Sequence, residues 1–402
     1  MPANQSPYAR HFIALDHFLK THETLWRPIP FVARQLAWEE EYPELSHWLR
    51  QQSLEHAERY QNHPENVPAP SPFNQIATMA QQLSRLPQRD ASPISVNRFF
   101  NVDIPGRKWA QINAFAGNLD FVGETQHWLD WCSGKGHLGR LLGHSGVDFT
   151  CIEYNAALVA EGQRLTQRLQ LNGQHQHMDV TDECAAEHLH PQITPVALHA
   201  CGDLHTHLLQ LACSKGCNQL AIAPCCYNRI ASESYTPLSI QAQNASLKLT
   251  KTDLRLPLAE TVTAGARVRQ QRDLSMARRL GFDLLQRELR EIDNYLPIPS
   301  LGIEWLKKPF SRFCQDLAEL NGIALPAEIA WDALEHRGRQ RLAEVRNLEL
   351  VRNLFRRPIE VWLILDRALF LEEHGYQVTI SEFCSPELTP RNILILAERI
   401  LS

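Results

Sequence analysis

No stretch of the 402-residue chain approaches the roughly 20 apolar residues that a membrane-spanning helix needs. The opening Met1-Pro2-Ala3-Asn4-Gln5-Ser6 also lacks a basic segment leading into an apolar signal core. Both absences point to a cytoplasmic protein with no membrane partner. An excess of one charge is missing too: the net formal charge is only −5, so no global field draws a polyanion and any nucleic-acid binding must come from a local patch. Ten cysteines in a chain this long do not make a small-scaffold disulfide framework, which leaves reduced thiols. What is present in quantity is apolar sequence, 44% of the chain. That is ample for two or three domains, or for one core with large additions.

The texture of the chain divides it into four parts. Residues 1–95 read as a helical N-terminal region, because His11 to Leu19 and Gln75 to Leu83 place apolar residues at helical spacing, separated by a proline-rich loop from His63 to Pro72. Residues 96–230 switch to short β-rich runs separated by helical segments, the pattern of a parallel sheet with crossover helices. Strands are expected at His127–Trp131, Asp148–Glu153, Gln174–Val180, Val196–Ala200 and Gln219–Ala223. Residues 231–358 are a mostly helical, arginine-rich insertion. Residues 359–402 complete the core with a helix and two strands, Tyr376–Phe383 and Asn392–Ala397, joined by a loop holding Pro386 and Pro390.

The chemistry concentrates where the first strand ends. Asp130-Trp131-Cys132-Ser133-Gly134-Lys135-Gly136-His137 follows an apolar lead-in and opens a helix, and Glu153 closes the next apolar run. A tight turn with two glycines lets a ligand approach the backbone, and a carboxylate at the second strand end is placed to accept from both ribose hydroxyls. A phosphate-binding P-loop is excluded, since Lys135 is followed by Gly136 and not by Ser or Thr. Gly134, Gly136 and Gly139 do spell the dinucleotide fingerprint, so an NAD(P)-dependent oxidoreductase stays open. Three features favour S-adenosylmethionine instead: the acid Asp130 before the turn, a third acid at Asp179, and a final strand pair of the kind in which the last strand inserts antiparallel.

Four ordered motifs carry a resemblance: Asp130 to Leu138, Leu198-His199-Ala200-Cys201-Gly202-Asp203-Leu204, Pro224-Cys225-Cys226-Tyr227, and Leu365-Asp366-Arg367 with Thr389-Pro390-Arg391-Asn392. Together they resemble the methyltransferase-like family that contains the glutathione S-transferase C-terminal-domain-containing proteins and their relatives; more distantly, the Ser133-Gly134-Lys135-Gly136 turn, the Cys201-Gly202 segment and the paired Cys225 and Cys226 resemble the tRNA 2′-O-methyltransferases. The resemblance spans roughly residues 105–230 and 358–400. It implies an α/β fold with a Rossmann-like class I methyltransferase sheet, an antiparallel last strand, and S-adenosylmethionine as cofactor. Cys132 departs from the pattern, standing where many methyltransferases have the first glycine of the turn.

The expected cofactor set is Asp130, Cys132, Gly134, Gly136, Glu153, Asp179 and His199. Asp130 would receive the cofactor ammonium, Glu153 the ribose and Asp179 the adenine amino group, although acids near strand ends also cap the following helix. The expected catalytic set is His199, Asp203, Cys226 and Tyr227. His199 or Asp203 would act as base, Cys226 as an activated thiol, and Tyr227 as a stacking aromatic. His199 reads equally well as a core histidine, and Asp203 as a helix cap. No metal is expected, because adjacent Cys225 and Cys226 lack the two-residue gap that lets a cysteine pair chelate one ion.

RNA, tRNA or rRNA, is the favoured acceptor. Between His336 and Arg357 lie seven arginines, among them Arg337, Arg339 and Arg341, against Glu344 and Glu349, a local charge of +5. Such a run tracks phosphates, or it pairs with acids elsewhere in the fold. Arg107-Lys108-Trp109 adds cations and an aromatic before the first strand. Protein or small-molecule methylation, and a binding module that keeps the cofactor but transfers nothing, are the alternatives.

Overall fold

The computed structural model describes residues 6–89, 93–259 and 265–400; Met1 to Gln5, part of the opening segment read above, lie outside them. The chain divides into two units. The first takes in residues 1–20, 83–259 and 357–402, and the second residues 21–82 and 260–356. Among the described residues no helix is long and apolar enough to cross a membrane.

The first unit is built on a seven-stranded sheet of order β3-β2-β1-β4-β5-β7-β6. Its strands are β1 His127–Trp131, β2 Asp148–Glu153, β3 Gly173–His177, β4 Ile193–Ala197, β5 Gln219–Ile222, β6 Tyr376–Glu382 and β7 Ile393–Arg399. The first five are parallel, whereas β7 runs antiparallel between β5 and β6. Position in the sheet explains composition. Strands β4 and β5 are covered on both faces and every residue in them is buried. Edge strand β3 is Gly-Gln-His-Gln-His, polar enough to discourage further pairing. Edge strand β6 buries Tyr376, Val378 and Ile380 while Gln377 and Thr379 face out, the period of two that fixes register.

Strands β1 and β2 have the limits expected from sequence, β5, β6 and β7 differ from theirs by one or two residues, and β3 and β4 shift further for local reasons. Strand β3 stops at His177 because Asp179 turns the chain, its Oδ1 accepting from the Thr181 amide at 2.9 Å and hydroxyl at 2.7 Å. Strand β4 starts earlier than expected because Pro195, which signals a strand limit, sits inside it opposite Leu129. It also stops at Ala197, and the chain from Leu198 leaves the ladder. One face of the sheet packs Phe115, Trp128, Leu141, Phe149, Val196 and Leu396 into a common core. The helix reaching Glu373 is buried nearly all round, with Ile359, Trp362, Ile364 and Leu365 at 0% exposure. The N-terminal helix Pro7–Thr21 packs Phe12 on Trp362 with ring centroids 4.9 Å apart. Asp366 beneath accepts from the Leu238 amide and from the Ser239 amide and hydroxyl at 2.7–2.9 Å, which satisfies a buried carboxylate and pins that loop.

The second unit is helical. Its long helices Ala266–Arg290 and Trp331–Asn353 cross where Gly281 meets Gly338. A Cβ on Gly338 would lie 2.6 Å from the Ala277 carbonyl oxygen and 2.9 Å from Gly281 Cα, so neither backbone can yield. Buried ion pairs flank the crossing, Arg287 with Asp283 at 2.8 Å and Arg346 with Asp273 at 3.2 Å.

Gly338→Ala should therefore destabilise the second unit by about 1–3 kcal/mol, the usual cost of overpacking. Thermal denaturation checks this, with Gly302→Ala, which meets nothing within 4 Å, as the control that leaves the midpoint unchanged.

Candidate active site

Five parallel strands deliver their carboxyl ends to one edge of the sheet, the place where open α/β sheets bind ligands. At the end of β1 the turn needs backbone conformations that side chains resist. Cys132, Gly134 and Gly136 have φ of 57°, 58° and 66°. Gly136 is doubly constrained, since a Cβ there would fall 2.3 Å from the His175 ring and 2.8 Å from Cys151 Sγ. Gly134 is the opposite case, with nothing within 4 Å of its absent Cβ, so its outer face is open to a ligand. Cys132 holds a left-handed conformation with a side chain, a strain of order 1–3 kcal/mol that the surrounding packing must sustain.

The three acids separate by environment. Half-buried Glu153 closes β2, with Oε2 accepting from the Gly134 amide at 2.9 Å and Oε1 from the Asn155 amide at 2.9 Å. It is thus tied to the turn and keeps lone pairs for further donors. Asp179 is half-buried on the turn after β3, and its bonds from Thr181 hold its carboxyl below the usual range. Asp130 lies inside, 3% exposed, with Oδ2 accepting from the Gly139 amide at 2.9 Å. Burial pushes its carboxyl up to about 7, only partly offset by that amide and by Arg140. The structure thus ties Asp130 to the first turn of the helix His137–Leu142 through the Gly139 amide.

Cys132 shows how tightly the strand ends converge. Its thiol is pushed up to about 12 by burial first, and then by the charges of Glu153, Asp130, Cys201 and Asp179. Strand pairing sets the ends of β1, β2, β3 and β4 along the same edge, so the loops that follow them start beside one another.

The acceptor side is made by the loops after β4 and β5. Gly202 has φ of 57° and ψ of −121°, and a Cβ on it would come 1.8 Å from the Arg229 carbonyl oxygen. That contact locks the two loops together, reinforced by Asp203, which donates its amide to the Arg229 carbonyl at 3.1 Å and accepts from the Ala231 amide at 2.8 Å. His199 is exposed, and local desolvation followed by the Lys108 cation holds its imidazole below the ordinary range. Both effects favour the neutral imidazole, the form that can take a proton. The same locking brings Cys201 Sγ to 3.6 Å from Cys225 Sγ, which lies 3.7 Å from Cys226 Sγ.

Tyr227 does not join this set. It is 1% exposed, its hydroxyl donates to Glu360 at 3.2 Å, and the Arg367 guanidinium covers its ring at 5.5 Å, so no face remains for an acceptor base. The arginine run divides in a similar way. Arg341 and Arg346 are buried, the first on Glu344 and the carbonyls of Pro30 and Ala33, the second on Asp273 and Gln61. Arg337 and Arg339 are exposed, next to Glu288 and Glu335. Two contributors escaped the sequence reading: the glycine lock at Gly202, though it lies within a quoted motif, and the reach of Lys108 from the helix Gly106–Gly117 to His199, which only the fold reveals.

The raised carboxyl of Asp130 has a signed consequence. Because its folded-state pKa lies above the unfolded value, its stabilising effect is full below about pH 4 and is lost as pH rises through about 7. The stability of Asp130→Asn relative to the parent should therefore increase over that window by a few kcal/mol, on the order of one per pKa unit. Denaturant titrations at pH 4.5 and 7.5 check it, and a difference independent of pH would refute the assignment.

An S-adenosylmethionine molecule suits this donor set: an open glycine for close approach, and an adjoining carboxylate with lone pairs for ribose hydroxyls. Residues 107–233 match the family described as methyltransferase domain. Among solved structures, the chain is similar to the Pyrococcus abyssi tRNA (uracil-54, C5)-methyltransferase in complex with S-adenosyl-L-homocysteine, with 16% identity over 29% of this chain and 28% of that one and a TM-score of 0.24. Similarity extends to a geranyl diphosphate methyltransferase, 12% identical over 42% and 66% of the two chains with a TM-score of 0.25. A coclaurine N-methyltransferase is 14% identical over 54% and 58%, also with a TM-score of 0.25. In each case the match spans less than two thirds of that protein's own length, and likenesses this distant say nothing of substrate. What the sheet order, the glycine turn and the family match together identify is residues 107–233 as an S-adenosylmethionine-dependent methyltransferase domain.

Proposed function

We propose that the protein transfers the methyl group of S-adenosylmethionine to RNA. The observation that carries this reading is a basic acceptor side: Arg229 lies in the loop after β5 with its backbone against Gly202, Arg391 precedes β7 where β7 meets the end of β5, and the Lys108 cation acts on His199. Three cations around one strand-end edge suit a polyanionic substrate, in a chain whose overall charge repels one. In the second unit, exposed Arg337 and Arg339 offer phosphate contacts of their own, and the distant resemblance of the Ser-Gly-Lys-Gly turn, the Cys-Gly segment and the paired cysteines to tRNA 2′-O-methyltransferases points the same way.

The cofactor supplies an electrophilic sulfonium methyl, and its displacement is in line, so the protein's task is alignment and proton removal. Glu153 holds the ribose hydroxyls beside the turn. Gly134 would let the methionine end lie against the backbone, and Asp179 would receive the adenine amino group. Neutral His199 takes the proton of the acceptor hydroxyl or amine as the new bond forms, while Asp203 holds the two acceptor-side loops in register. Asp130 acts at one remove by fixing the helix that starts behind Gly136.

Two measurements test the reading. Glu153→Ala should lower affinity for S-adenosylhomocysteine at least tenfold by calorimetry, since two ribose hydrogen bonds to a charged acceptor are lost. Unchanged affinity would contradict the cofactor geometry. With labelled cofactor and cell extract, label should enter RNA, transfer should fall steeply with salt, and Lys108→Glu should reduce it. Label in protein or small molecules, insensitive to salt, would favour a different acceptor.

A further inference from the structure

Strands β4 and β5 are parallel neighbours, paired at Val196 with Ala221 and Ala197 with Ile222. The loops that follow them therefore start side by side. Cys201 lies four residues past its last paired position, and Cys225 and Cys226 lie three and four past theirs. The Gly202 contact with Arg229 then presses the loops together and leaves three sulfurs in one cluster, all within 4.8 Å of one another.

The spacing within the cluster is specific. Zinc bonds thiolate sulfur at about 2.3 Å in tetrahedral geometry, which sets sulfurs about 3.8 Å apart along each edge. Here Cys225 Sγ lies 3.6 Å from Cys201 Sγ and 3.7 Å from Cys226 Sγ. Adjacent cysteines make a poor chelating pair alone, but the third thiol arriving from β4 removes that objection, because it closes a triangular face. We propose that Cys201, Cys225 and Cys226 form a three-thiolate zinc site at the acceptor end of the sheet edge.

The local electrostatics suit it. Three thiolates on a divalent ion leave one net negative charge, and the guanidinium groups of Arg229 and Arg391 lie close enough to act on Cys226. Soft thiolate ligands select zinc over magnesium, calcium or manganese. Three protein ligands leave one tetrahedral position for water or for a heteroatom of an incoming molecule, the coordination pattern of reactive zinc sites and not of closed structural ones. The site does not rest on RNA as acceptor and would stand with any other.

The test uses the full-length protein, expressed with zinc in the medium and purified under reducing conditions without chelator. Elemental analysis by mass spectrometry should find about one zinc per chain. Cys201→Ser, Cys225→Ser and Cys226→Ser should each lower occupancy at least tenfold, while Cys184→Ser, an exposed cysteine outside the cluster, should leave it unchanged. Cobalt(II) added to metal-free protein should give a thiolate-to-cobalt charge-transfer band that the three variants lose. Circular dichroism and S-adenosylhomocysteine calorimetry on each variant separate metal loss from unfolding. The proposal is overturned by a reduced parent protein with neither zinc nor a cobalt band. It is equally overturned by another metal in zinc's place, by occupancy that survives all three single substitutions, or by a Cys201–Cys225 disulfide in metal-free protein.

Discussion

The close approach of Gly136 to His175 and Cys151 is the constraint on which the cofactor end depends. Only a residue without a Cβ allows the turn after β1 to settle that near β2 and β3. With the turn seated, the Gly134 amide reaches Glu153 and the helix His137–Leu142 begins over Asp130. Cys132 is driven into a left-handed conformation by the same geometry. A side chain at Gly136 would lift the turn and undo all three relations at once, which makes its loss more damaging than that of any single polar contact.

A second approach of the same kind organises the acceptor end. Gly202 touches the Arg229 backbone, and through that contact His199, the three thiols and Asp203 take their places. Both ends thus use one device: a glycine at a strand end lets two loops meet backbone to backbone, and the side chains on either side then acquire fixed neighbours. Beneath the loop after β5, a buried network supports the arrangement from behind. Tyr227 bonds Glu360, Glu360 pairs with Arg357, and Arg357 reaches Glu382 and Asn392. Asp366 and Arg367, which read from sequence as part of a motif, are supporting structure in the helix reaching Glu373: Asp366 holds the Leu238 and Ser239 amides, and Arg367 covers Tyr227 and bonds His205.

Much of this was legible in the sequence. The limits of β1 and β2 followed from apolar runs ending in acids, and the antiparallel insertion of β7 followed from two strand-like segments joined by a proline loop. What escaped was whatever depends on partners distant in sequence. Twenty-odd residues separate Cys201 from Cys225, and only the adjacency of β4 and β5 makes them neighbours. The arginine run showed its charge but not its acids, so buried Arg341 and Arg346 looked the same as exposed Arg337 and Arg339. For Tyr227, one step past the exposed-looking cysteines, the sequence could not say on which side of the loop the ring would fall.

The most direct test of this view is a crystal structure of the protein with S-adenosylhomocysteine bound. The expected result is a ligand whose ribose hydroxyls lie on the Glu153 carboxylate, with its amino-acid end against Gly134 and its sulfur facing the loops of His199 and Cys226. A ligand seated elsewhere, or one that leaves Glu153 on the Gly134 and Asn155 amides alone, would contradict it.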